Sequence, residues 1–171
     1  GSRYEYHPTS SMWVIAELIE RLSSMTYIEF VRQRIALPLG LDDMWVGCPP
    51  DQHHRIKDVT HVGKAMTSED YQKLGIPEPP VTEVTEEALT NFNYAPAREV
   101  GVPGGGGFMS AAELALFYQA LINEGRGSNG NQVWQPGTIS MATEVRTGDM
   151  RDQLMNQLVN RALGVVVAGD K

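Results

Sequence analysis

The stretch SSMWVIAELIERLSSMTYIEFVRQRIALPLG, residues 10–40, decides how the chain is read. Met12, Ile15, Leu18, Ile19 and Leu22 recur at three- and four-residue spacing, with Glu17, Glu20 and Arg21 between them. That is one apolar stripe on a helix of 3.6 residues per turn, so the spacing predicts a helix over 11–23, entered from Thr9 and Ser10. Thr26 followed by Glu29 forms a capping box and predicts a second helix over 27–35, which buries Ile28, Val31 and Ile35 before Pro38 and Gly40 stop it. Two helices joined by so short a link make a hairpin.

Outward from this hairpin the pattern weakens. Residues 45–107 are rich in loop signals, with Pro49-Pro50 and Pro77-Glu78-Pro79-Pro80 among them. Within this segment the sequence supports one short helix from Thr67 to Leu74, ended by Gly75, and a short acidic helix over 85–92; residues 94–107 read as irregular. Ser110 with Glu113 is another capping box, and Leu114, Phe117, Tyr118, Leu121 and Ile122 line one face of a helix over 111–123, stopped by Gly125. Pro136 at a first helical position predicts a helix over 136–145, and Leu154, Leu158 and Val159 suggest a last one over 149–163. Val165-Val166-Val167 is β-branched and reads as the start of a strand that ends with the chain. The expected fold class is mainly α: one helical subdomain, residues 3–171, of a larger α/β protein, with Gly1-Ser2 as an expression remnant.

Composition narrows the function. The 171 residues carry a formal net charge of -7, from 14 basic and 21 acidic side chains, and no Lys/Arg run, so no nucleic-acid partner is expected. No apolar stretch approaches a membrane span. Cys48 is the single cysteine and the four histidines are scattered, which leaves no zinc-ligand spacing; neither a metal nor a cofactor is expected. Nothing in the sequence specifies a compartment.

Tyr6 is the first residue with chemistry to offer. A tyrosine acts as a general base only where neighbouring cations lower its pKa from about 10 and a proton to be taken lies in reach. Judged from its own neighbours, Tyr6 reads as packing or a helix-entry contact. His53-His54 and His61 would bind a metal only if a carboxylate converged on them, and adjacent histidines in a loop are more often solvated. Gly104 to Gly107 ahead of a capped helix invites a phosphate-loop reading, but no G-K-[ST] follows, and glycines that let the backbone turn tightly are the preferred account. The acidic TEVTEEALT is read as a solvated face, and Trp13, Trp45 and Trp134 as packing.

Three blocks, in order, carry a resemblance. RYEYHPTSSMWVIAELIERLSSMTYIEFVRQRIALPLGLDDMWVG is similar to a stretch reading roughly R-F-x-Y-S-N, an apolar helix ending I-I-E, a second helix and P-L-G-M/L. GVPGGGGFMSAAELALFYQALINEGRG is similar to a G-G-x-x-S-T-x-x-D-L-x-x-F helix, and NQVWQPGTISMATEV to a segment reading L-L-S-P-E-T-V. Together they resemble the serine β-lactamase-like hydrolases, the superfamily of class C β-lactamases, DD-peptidase penicillin-binding proteins and family VIII carboxylesterases. Residues 48–100 match no pattern of that family.

The resemblance implies that Tyr6 takes the place of the motif tyrosine, which helps activate the serine or protonate the leaving group. It also implies that His7, Thr9, Ser10, Gly105 and Gly106 are candidates to line the substrate cleft. The sequence departs from the family at Pro8, where the pattern has Asn and where proline offers no side-chain donor or acceptor. The family's nucleophile stands in S-x-x-K on one helix face. Three residues before Lys57, Lys64, Lys73 and Lys171 stand His54, His61, Asp70 and Ala168, so no such pair exists here. The K/H-x-G motif should follow LGVVVAG, where the chain stops; HVG at 61–63 matches literally but falls between the wrong blocks.

The implied chain is therefore a fragment of a serine hydrolase performing acyl transfer on a small-molecule ester or amide, inactive alone, whose uncovered apolar face is expected to form a homo-oligomer. The alternative is a non-catalytic binding or protein-interaction module of the same ancestry. Inferring a fold does not choose the substrate.

Overall fold

The computed structural model describes residues 4–7, 10–81, 84–153 and 156–169. The expected cleft residue Thr9, with Pro8, lies outside them, as does Leu154. About 44% of the described residues are helical, and every named strand is two residues long.

Helix α1, Ser10–Ser23, and helix α2, Tyr27–Val31, form the hairpin that the opening stretch predicts. Thr26 caps α2: its hydroxyl accepts from the Glu29 N–H, and the Glu29 carboxylate accepts from the Thr26 N–H. The helix continues as a wider π-helical turn, Arg32–Ala36, and then breaks into the tight turn 37–40. Gly40, at φ +73, takes the left-handed conformation that closes it.

The core forms at this break. Ala36, Leu39, Leu41, Met44 and Ala120 are buried together, with Phe117 and Trp134 packed against them edge to face. Ala120 comes from helix α6, Ala111–Ile122, capped by Ser110 and Glu113 as its sequence predicts. The Glu113 carboxylate also accepts the Asp43 N–H at 2.6 Å, which ties the helix start to the core turn. Strands β1, Trp45–Val46, and β2, Gly107–Phe108, pair antiparallel beside it.

Between these strands run a 3-10 turn, Pro50–Arg55, and helices α3, Ser68–Leu74, α4, Glu86–Thr90, and α5, Ala95–Val100. The last of these corrects the irregular reading of 94–107: Pro96 in the first turn pre-sets helical geometry, and Gly101, at φ +59, ends it. Arg98 is buried, donating to the Phe92 carbonyl and to Asp58. The Asn93 amide pairs with both the N–H and the carbonyl of Val59, so the long loop is anchored at its base.

Helix α7, Pro136–Thr143, starts where Pro136 predicts. The helix expected over 149–163 does not form. In its place strands β3, Arg151–Asp152, and β4, Gln157–Leu158, pair antiparallel, with Asn156 left-handed at φ 51 in the turn between them. Helical spacing of leucines is a local signal; it loses here to tertiary burial of Asp152, a polar residue that the helical pattern placed on no apolar face. The valine run 165–167 makes an isolated bridge, Val166 with Arg161, rather than a named strand.

Candidate active site

Tyr6 lies in the stretch 4–7 ahead of α1, and that stretch docks on the far end of the chain. The Gln153 N–H donates to the Tyr4 carbonyl at 3.3 Å, and the Tyr6 N–H donates to Asp152 Oδ1 at 3.3 Å. The Arg161 guanidinium stands 4.1 Å from the centre of the Tyr6 ring, within cation–π range. Asp152 has no exposed surface. It is held by the β3–β4 pairing, while the Arg161 N–H donates to the Thr147 hydroxyl and its carbonyl accepts from Arg146.

Tyr4, Tyr6, Asp152 and Arg161 thus form one cluster. Burial raises the Tyr4 phenol above its usual pKa; the Arg161 charge opposes this, and the charge and hydrogen bonding of Asp152 add to it. Tyr4 therefore stays a neutral phenol throughout the physiological range. His7 and Ser10 are both exposed beside this cluster, with Ser10 Oγ 3.5 Å from His7 Nδ1, while Ser11 Oγ donates to the His7 carbonyl at 3.2 Å. A hydroxyl beside an imidazole is the beginning of a nucleophile–base pair, but 3.5 Å is the outer limit of a hydrogen bond.

Gly105 and Gly106 stand elsewhere. Their N–H groups both donate to the Val102 carbonyl, at 3.2 and 2.7 Å, in the turn before β2. A Cβ on Gly106 would meet the Val102 backbone nitrogen at 2.5 Å, so only glycine fits that close approach. Among the described residues no hydrogen bond, ion pair or ring contact joins this turn to Tyr6.

A cleft of about 330 Å³ opens beside it, lined by Trp45, Cys48, Arg55, Phe108 and Ser110. Arg55 forms a two-pronged ion pair with Asp43, whose carboxyl is held below its ordinary range by that hydrogen bonding first. Burial pushes the Cys48 thiol up, so it is not a ready thiolate. His53 and His54 bond to the Cys48 and Asp51 carbonyls, and His61 lies 3.4 Å from Glu86. No cluster of three metal-ligating side chains occurs among the described residues. No helix there is long and apolar enough to cross a membrane.

The sequence singled out Tyr6 as a candidate and gave no sign of its contacts with Asp152 and Arg161. Their signal was negative: Asp152 interrupts the supposed helix 149–163, yet nothing local says that it is buried against residues about 146 positions earlier.

The chain matches the Beta-lactamase family profile over residues 1–171. Among curated proteins none matches it significantly. Of solved structures, it is similar to a novel penicillin-binding protein homolog from Caulobacter crescentus, at 24% identity and a TM-score of 0.74 over 97% of this chain and 43% of that one. It is also similar to a family VIII carboxylesterase, at 20% identity and a TM-score of 0.73 over 98% of this chain and 43% of that one. The chain therefore spans less than half the length of either, and at these identities the likeness concerns the fold. The family match along its whole length shows that the chain belongs to the Beta-lactamase family.

Proposed function

We propose that the chain is the tyrosine-bearing part of a serine hydrolase, working by acyl transfer on a small ester or amide. Tyr6 is its general acid/base, moving a proton between the attacking serine and the leaving group, and donors in an oxyanion hole stabilise the tetrahedral intermediate. The reaction so written needs no cofactor. The observation that supports Tyr6 most is its double anchorage, backbone on Asp152 and ring under Arg161, since an acid/base must be held in one geometry. His7, Thr9, Ser10, Gly105 and Gly106 are proposed to face the cleft when the rest of the site is present. With no lysine three residues after a serine, the chain alone is proposed to be inactive. The apolar face of α1 is proposed to pair copies of the chain where nothing else covers it.

The expected coding context is a reading frame with S-x-x-K upstream and K/H-x-G downstream. In the protein so encoded, Tyr6→Phe is expected to slow acylation by about 10²–10⁴-fold, the range of general acid–base catalysis. An unchanged rate would overturn the role of Tyr6. Pro8, standing where the family pattern has Asn, favours the second reading, a silent binding module, and a start codon near Arg3 would support it.

A further inference from the structure

The 4–7 stretch meets residues 151–161 through the Gln153 N–H on the Tyr4 carbonyl, the Tyr6 N–H on Asp152 and the Arg161 guanidinium over the Tyr6 ring, and the Ser10 and Ser11 side chains of α1 reach back to His7. The Tyr6 backbone and ring thus both meet groups from the opposite end of the chain. Asp152 is fully buried, and a carboxylate is costly to bury unless its oxygens are used. One of them takes the Tyr6 N–H. The Arg161 Nε is buried and makes no hydrogen bond among the described residues, and its guanidinium lies over the Tyr6 ring. The Arg161 backbone is clamped on both sides, through Thr147 and Arg146, and the neighbouring Thr147 hydroxyl donates to the Val159 carbonyl at 2.6 Å. This is a rigid support rather than a chance contact of a long side chain.

We propose that Asp152 and Arg161 are positioning residues for Tyr6, the carboxylate fixing its backbone and the guanidinium fixing its ring, so that residues 146–161 set where the phenol points. The proposal rests on Tyr6 being the acid/base of the reaction proposed above, and it assigns to the far end of the chain a direct part in that site. Asp152 reaches the 4–7 stretch from the β3–β4 pairing, and Arg161 from the chain just after it.

The test is nuclear magnetic resonance on the whole chain with ring-labelled tyrosine and labelled arginine. Arg161 side-chain protons should be displaced upfield by the Tyr6 ring current, and Tyr6→Leu should abolish the displacement. Arg161→Lys, which keeps a cation over the ring, should hold the Tyr6 ring signals in place. Arg161→Met, of similar length without charge, should move them towards those of a free tyrosine. Asp152→Asn keeps an oxygen acceptor and should retain the Arg161 displacement; Asp152→Ala should lose it, while the Tyr27 signals, buried elsewhere, stay put. Should Asp152→Ala fail to fold, the wild-type displacement and the Lys/Met pair decide. A Met variant indistinguishable from the Lys variant, or no displacement in the wild type, would overturn the proposal. Failure of the underlying reading looks different: an unchanged acylation rate for Tyr6→Phe in the protein that carries S-x-x-K and K/H-x-G, with the Tyr6–Arg161 signature intact.

Discussion

Helix α1 and the turn at 37–44 stand in instructive contrast. The helix carries the clearest apolar stripe in the sequence, yet only Ala16 is buried in it; Ile15, Leu18 and Leu22 are exposed, the last at 86%. The turn has no periodicity at all, and it holds Leu39, Leu41 and Met44, the centre of the core. Periodicity tells which face a segment offers, and contact with the rest of the chain determines whether that face is covered.

The contrast can be broken by mutation. Leu41→Ala, at a site 1% exposed, should cost about 2–5 kcal/mol in urea unfolding, the range for large-to-small core substitutions. A loss below about 1 kcal/mol would show that the turn is not the core. Asp152→Ala should cost about 1–3 kcal/mol, because the Tyr6 N–H loses its acceptor.

Thr26→Ala, which removes a hydroxyl cap, should cost about 1 kcal/mol. The same cap sharpens the comparison through pH. Hydrogen bonds from the Thr26 side chain and then its backbone hold the Glu29 carboxyl below its ordinary range, and Thr67 does the same for Asp70, backbone first. A depressed carboxyl contributes stability that is present above the unfolded value, near pH 4, and is lost as the pH falls through the lower folded value. The gap between wild type and Thr26→Ala in urea midpoint should therefore be wider at pH 7 than at pH 2.5; an equal gap would exclude Glu29 from the cap.

The smallest effect belongs to α1. Leu22→Ala should change stability by no more than about 0.5 kcal/mol, as expected at an exposed site. Leu18→Glu with Leu22→Glu should leave folding intact and lower the sedimentation-average mass if copies pair through this face. A mass independent of these charges would remove that interface.

Helix starts were legible because each is a local transaction between neighbours: Thr26 with Glu29, Ser110 with Glu113, Thr67 with Asp70. Family membership was legible for the same reason, in short ordered blocks around Tyr6 and Gly104–Gly107. The hairpin 151–158 was not, because its reason lies with Tyr4 and Tyr6 at the other end of the chain. Helix α5 was missed because residues 94–107 read as irregular, although Pro96 stands in its first turn. In the candidate site Tyr6 could be singled out from a motif, whereas its contacts with Asp152 and Arg161 could not, since no spacing encodes them.

The most direct measurement of the central claim is the intact mass of the chain after incubation with a fluorophosphonate and, separately, with a penicillin. The account predicts an unshifted mass with both, because Tyr6 is present without a serine–lysine pair. A single stoichiometric adduct, abolished by Ser10→Ala or Ser11→Ala, would contradict it and make the hydroxyls beside His7 a nucleophile in their own right.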